Sequence, residues 1–414
     1  MATDFKKKFK DRKREKSLDK YTPRVKKEKP PRDTEDFFKN LARHKFDIMV
    51  RAIIVIIVLV LATLFFYIRY LTRVYESYQV INKVEMQIST GARVKQFGTD
   101  LLVYTNDGVK CVDGKGKTVW DATYEMQNPV VEVCEDMVAV ADYNGSSIFV
   151  FNKQGMLHSI DTGMPVKKFQ VSAKGQVIAV LEDTNYTPIH LYNSEGKDRA
   201  VFKTSMHDSG YPIDVAISDN GDLVGVSYLY IDSGSFKTTV GYYNFSEVGK
   251  NATDNLVSGY TYTGAVVPDL EFVGSEKCVA VADNRLMFYR GSQKPESTGE
   301  VLVQDQMYSV YFGEQYVALV FLNTDNDDRF KIEIFDGTGS KRDTVYFANE
   351  IDNVFFNKDR IIVYNADECY IHKIGGIDKY KGEFNRSILA MMPTNVSNRF
   401  VIVTNDAIET IELH

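Results

Sequence analysis

The sequence predicts an all-β chain: an eight-bladed β-propeller ectodomain, with seven blades as the alternative, preceded by one transmembrane α-helix. Three observations carry this. Short apolar runs that end in Asp or Asn recur eight times from residue 101 onward, with start-to-start spacings of 36, 40, 46, 56, 37, 45 and 39. The composition favours strands, with 25 Tyr and 25 Phe against 10 Pro and 1 Trp. A single uncharged run, AIIVIIVLVLATLFFYI at 52–68, stands apart from this pattern. At 414 residues, 44% hydrophobic and 26% charged, the chain is neither a disordered protein nor a polytopic membrane protein.

Charge divides at the same place. Residues 1–51 carry 18 Lys and Arg against 9 Asp and Glu, and the remainder 32 against 47, so a net of −6 conceals a basic tail joined to an acidic body. Residues 1–32 have almost no aliphatic content and are read as a disordered basic cytoplasmic tail. The tail sets topology, with binding to anionic lipid as the functional alternative. Nucleic acid is not expected, because no fold or aromatic interleaving accompanies the charges. A juxtamembrane helix is expected at 33–47, capped by Asp33 or Thr34, with Phe37, Phe38, Leu41 and Ile48 on one side.

The span itself is placed at 48–71. Its seventeen-residue uncharged core covers about 25 Å of a ~30 Å hydrocarbon layer. Arg51 and Arg69 snorkel to the two interfaces, and Tyr67, Tyr70, Tyr75 and Tyr78 supply an aromatic belt at the far end. A cleaved signal peptide would need a basic region of nearly 50 residues and a small-residue cleavage site, and the sequence lacks that site. The basic side is expected in the cytoplasm, giving a single-pass plasma-membrane protein with its C-terminal part outside. Residues 72–79 are a linker and 80–414 the ectodomain.

Within the ectodomain the spacings average near 43, the length of one four-stranded propeller blade. Runs such as VIAVL (177–181) and VALVF (317–321) are apolar on both faces, as strands packed between two neighbouring blades must be. NDG, YNG and DGTG are hairpin signals. Each repeat begins with an inner strand, from ARVKQFG (92–98) through PIDVAIS (212–218) and PDLEFVG (268–274) to ILAMMPT (388–394). The eighth repeat runs out after AIETIEL (407–413), and VINKVEMQIS (80–89) is expected to supply its missing outer strand and close the ring.

VDGKGKTVW (112–120) resembles the repeat of quinoprotein-type propellers, and PIDVAISDNGDLVGVS (212–227) is similar to a WD40-type inner pair. The whole plan of basic tail, one span and Tyr-rich propeller resembles an uncharacterised family of membrane-anchored propellers from Gram-positive bacteria, over essentially all 414 residues. That resemblance implies a scaffold and no assigned activity. Quinone-dependent dehydrogenases of this scaffold hold their cofactor with adjacent cysteines, a calcium site and a stacking tryptophan. This chain has no Cys-Cys pair, so no cofactor is expected.

No catalytic set stands out. There is no G-x-S-x-G, and the histidines at 158, 190, 207, 372 and 414 never fall at ligand spacing. Asp325-Asn326-Asp327-Asp328 has a D-x-D step but lacks the glycine and distal glutamate of a calcium loop, so it reads as a solvated hairpin tip and no metal is expected. Cys111, Cys134, Cys278 and Cys369, of which only Cys111 and Cys134 are rough neighbours, read as small buried hydrophobes, with one disulfide as the alternative. Propellers bind partners where loops enter the inner strands, which nominates Tyr211, Asp214, Asp269, Tyr308 and Asp352. The long insertion at 233–264 is a candidate partner-binding flap.

The expected function is therefore a non-enzymatic, membrane-anchored binding or scaffold module for a protein or cell-wall polymer. The alternatives are a cell-surface glycan hydrolase or lyase, which would show two channel carboxylates about 5–10 Å apart with one in an apolar setting, and an envelope sensor.

Overall fold

A computed structural model describes residues 32–204, 210–232 and 234–414. The basic tail before residue 32 lies outside the described residues, and so does the expectation made for it. The chain divides into two units, Met1–Arg73 and Val74–His414.

In the first unit one helix runs unbroken from Arg32 to Leu71, across the boundary at 47/48 drawn from the sequence. No proline or glycine interrupts this stretch, so nothing ends the backbone hydrogen-bond ladder there. Asp36–Tyr70 is long and apolar enough to cross a membrane. Its side chains, including Arg51, Tyr67, Arg69 and Tyr70, stand exposed. The Thr63 hydroxyl donates to the Val60 carbonyl at 2.8 Å, satisfying a polar group in an apolar stretch.

In the second unit the described residues form eight four-stranded antiparallel sheets. Seven are sequential meanders, at 93–123, 129–161, 166–204, 211–263, 269–302, 307–347 and 353–383, which are blades 1 to 7. Blade 8 takes three strands from 390–413 and its outermost from Tyr78–Glu85. That closing strand pairs Tyr78 with Leu413 and Glu85 with Ala407, with a bulge between Val80 and Asn82. Its Lys83 lies 3.7 Å from the buried Glu409, whose other cation is Arg386 at 2.9 Å. The ring is thus eight-bladed and closed by both ends of the domain.

The closure begins earlier than residue 80. Tyr75 is buried in the core between blades 7 and 8, and its N–H bonds the Lys379 carbonyl at 2.8 Å. Tyr78 packs edge-on against Phe384 at 5.9 Å. These two tyrosines therefore belong to the propeller and not to an interfacial belt, because the wedge between blades 7 and 8 needs large side chains to fill it.

Eight apolar clusters hold the ring, each in the wedge between two neighbouring blades. Val177–Leu181 shows how one strand serves two wedges. Val177, Ala179 and Leu181 pack toward blade 2, and Ile178 and Val180 toward blade 4. All five are buried, each large one contributing about 1.5–3 kcal/mol. The cluster of Ile88, Leu101, Val112, Ala390, Val403 and Ile408 spans blade 8 and blade 1, so no wedge is left open at the seam.

Candidate functional site

The eight inner strands all run in the same sense around the channel, which gives the ring two different ends. At the entry end lie the linkers between blades and the turns between second and third strands. At the exit end lie the turns that follow the inner strands.

The five nominated residues do not form one site. Asp214 and Asp269, on the inner strands of blades 4 and 5, are brought together around Lys168 of blade 3. Lys168 Nζ lies 3.4 Å from the Asp214 carboxylate, whose other oxygen accepts the Leu270 N–H at 2.8 Å. Burial raises both carboxyls, Asp214 to about 7, although Lys168 opposes the rise. The two thus tie three inner strands together. Tyr308 stands 55% exposed at the entry end with its ring 5.0 Å from Phe330. Asp352 and Tyr211 join neither group: Asp352 is exposed and Tyr211 half-buried.

Farther along the channel is a second tie. Gln170 of blade 3 reaches past blade 4, donating to the Glu271 carboxyl of blade 5 at 2.8 Å and accepting the Ile217 N–H at 3.1 Å. Glu271 is half-buried at the cavity wall, and desolvation there, reinforced by Glu132 and Asp269, pushes its carboxyl up to about 8. Glu271 is therefore largely protonated at neutral pH.

The channel opens at the exit end into a cavity of about 510 Å³, lined by the ends of the inner strands of blades 2 to 6. Its acidic residues are Glu132, Glu135, Asp219, Glu271 and Glu314. Cys134 lies among them, half-exposed, with its thiol 3.4 Å from Asp219. Burial and the Asp219 carboxylate push that thiol well above its usual range, so it is a poor nucleophile. This corrects the expectation that all four cysteines are buried; the other three are, and all four are free thiols. The sequence reading looked only at the entry end and missed this cavity. Its residues sit in the last residues of the inner strands and one or two positions beyond them, as in the EVCE of 132–135, and no single motif marks them.

The entry end carries exposed apolar side chains as well as acidic ones. Leu302 at 69%, Ile231 at 65% and Leu322 at 60% are the three most exposed large apolar side chains among the propeller's described residues, and all three lie there. Ile231 pairs with Phe236 across the tip of blade 4, whose second and third strands are each 10 residues long. The Asp325–Asp328 tip is at this end too. Asn323 braces it, donating to the Asp328 carbonyl at 2.7 Å, and Lys331 lies 3.8 Å from Asp325. Among the described residues no group of acidic, histidine or cysteine side chains is arranged to hold a metal ion.

Comparison with solved structures returns propeller-sized matches over most of the chain. Sqt1 of Saccharomyces cerevisiae is 10% identical, with 82% of this chain and 99% of that one covered and a TM-score of 0.52. BamB from Moraxella catarrhalis is 11% identical, covering 81% and 100%, at 0.49. Hydrazine synthase of Kuenenia stuttgartiensis is 12% identical, covering 76% and 100%, at 0.45. Such identities speak to the fold alone. A comparison with curated proteins gives no match. The model of one family does match, over residues 71–413, which include the whole propeller, and the chain belongs to that family of unknown function, DUF5711.

Proposed function

We propose that this protein is a membrane-anchored binding module, non-enzymatic, whose propeller engages a protein partner through its entry end outside the plasma membrane. The observation that carries this reading is the concentration of the propeller's most exposed apolar side chains, Leu302, Ile231 and Leu322, at one end of the ring. Partner-binding surfaces are anchored by a few such side chains inside a polar rim. Acidic residues follow two of the anchors in the chain, Asp305 after Leu302 and Asp325 and Asp327 after Leu322, with Lys331 between Asp305 and Asp325, and this net acidic rim suits a partner that carries Lys or Arg. The anchor role rests on the exposed apolar helix, and the outward orientation on the basic residues before it.

Copies of the full chain in nanodiscs, with and without Leu302→Ala and Leu322→Ala, test this in a membrane-extract binding assay. The reading requires a saturable protein partner that the double variant loses. A partner bound equally by both forms would contradict it.

One observation favours a second reading, a glycan hydrolase. Glu271 is a carboxyl kept protonated beside the exit cavity, and Glu132 and Asp219 line the same cavity. A carboxyl so raised and a second carboxyl in the same cavity are the two groups that glycoside hydrolysis uses. Against this, the Glu271 carboxyl already accepts from Gln170 in a tie between blades. Hydrolysis of wall glycan by the full chain, abolished in Glu271→Gln, would establish the second reading and displace the first.

A further inference from the structure

Blade 4 is built differently on its two faces. Toward blade 5 its third and outer strands present Tyr242, Tyr260 and Tyr262, which pack with Tyr289 and fill the wedge to its outer edge. Toward blade 3 the same two strands present Gly241 and Gly259, paired directly across from one another, and the neighbouring pair Thr239 and Thr261. With no side chain at the glycine pair, the wedge stays open as a cleft of about 550 Å³ at the rim of the ring.

The walls of the cleft are aromatic. Phe202 of blade 3 faces Tyr243 at 4.8 Å and Phe245 at 5.7 Å between ring centroids. Hydroxyls lie between the rings: Tyr228 and Tyr243 share a hydrogen bond of 2.9 Å, as do Thr239 and Thr261. Among the described residues that line the cleft Asp254 is the only charged one, in a propeller that is otherwise strongly acidic, and the Arg199 guanidinium lies 5.7 Å from the centre of the Phe245 ring.

The lip is held before any ligand arrives. Asn255 donates to the Asn244 carbonyl at 2.9 Å, and Asn244 in turn donates to the Gln293 carbonyl at 2.8 Å. Gly249 is required in this loop, since a Cβ there would meet the Asn244 carbonyl oxygen at 1.6 Å.

We infer that the cleft between blades 3 and 4 binds a neutral carbohydrate chain. A pyranose ring has an apolar face of C–H groups and an edge of hydroxyls. Aromatic walls take the first, and Tyr, Thr and Asn groups take the second. Among the described residues an ionic ligand would find one carboxylate, and the nearby cation, Arg199, is already held by the Gln176 side chain and the Gly221 and Phe245 carbonyls. An apolar protein anchor would find a lining in which hydroxyls and a carboxylate share the surface with the rings, and burying the Asp254 carboxylate against an apolar group costs free energy. The site is separate from the entry end and does not depend on the partner proposed for it.

Gly259→Val tests the inference without removing any packing. Its backbone is not in the left-handed region, and a Cβ there meets nothing closer than the Val240 carbonyl oxygen at 4.0 Å. The variant therefore has room to fold, and its side chain intrudes on the cleft between the aromatic walls. Binding of cellotetraose and chitotetraose to the full chain in nanodiscs is measured by saturation-transfer NMR, with tetragalacturonate as the charged control. The expected result is millimolar or tighter binding of a neutral oligosaccharide, weakened at least about tenfold by Gly259→Val and by Phe202→Ala, with the thermal midpoint of Gly259→Val unchanged. Binding that Gly259→Val leaves intact, preference for the charged control, or no binding of either neutral probe at millimolar concentration would each overturn it.

Discussion

The two ends of the ring are made from the same eight repeats and yet differ in kind. The entry end carries exposed leucine and isoleucine, while the exit end carries a cavity of carboxylates around Glu271. The difference arises from where each residue sits relative to the inner strands. Side chains inside a blade are fixed by packing against two neighbours, so all eight repeats agree there. Residues that face the channel or close a strand at either end, such as Glu271, Leu302 and Leu322, are not packed between two blades and are free to differ in chemistry. The blades are the scaffold, and the ends are where function can be written.

The largest expected effect concerns the exit end. Glu271 ionises near 4.5 when free and near about 8 in the fold. Between those values the folded state keeps a proton that the unfolded chain has lost. Its contribution to stability is therefore full below about pH 4.5 and is lost as pH rises toward 8, and Asp214 adds a smaller slope of the same sign toward 7. Glu271→Gln should flatten this dependence and raise stability at pH 8 by a few kcal/mol, on the order that several pKa units imply. Thermal midpoints at pH 5 and pH 8 check it; an unchanged slope would mean that Glu271 does not carry the pH dependence.

Next comes the entry end. Leu302→Ala with Leu322→Ala should weaken partner binding by at least about thirtyfold if both are anchors, at about 2 kcal/mol for such a residue. Stability should move by no more than about 0.5 kcal/mol, because both side chains already face solvent. Titration of the captured partner and a melting curve separate the two effects.

The smallest effect sharpens the electrostatics of the exit cavity. Asp219→Asn removes the carboxylate beside Cys134, so the thiol should ionise more readily and react with maleimide about two- to tenfold faster. Cys111, Cys278 and Cys369 are buried and should stay silent until the chain unfolds. An unchanged rate at Cys134 would show that burial alone governs that thiol.

Much of the ring was legible in the sequence because the repeat length is a physical quantity: four short strands and their turns need some 40 residues, and VIAVL or VALVF can only be strands packed on both faces. The closing strand was legible too, since the last repeat is one strand short, although Tyr75 and Tyr78 were assigned to the membrane interface because their packing partners, Tyr380 and Phe384, are some 300 residues away. The sites were far less legible. In PDLEFVG, Glu271 looks like any strand residue; what singles it out is Gln170, two blades back. The glycines of TTVGYYN and LVSGYTYT were visible, but a cleft appears only once the register sets Gly241 opposite Gly259. Such properties belong to the arrangement of blades and not to any one repeat.

The central claim, that the entry end is the partner-binding face, is tested most directly by site-specific photo-crosslinking in native membranes. A photoreactive amino acid is placed at Leu322 on the entry end and, in a second strain, at Glu314 beside the exit cavity. The account predicts a discrete protein adduct from position 322 that disappears when Leu302→Ala is added, and none from position 314. An adduct from position 314 alone, or one from 322 that Leu302→Ala leaves untouched, would contradict it.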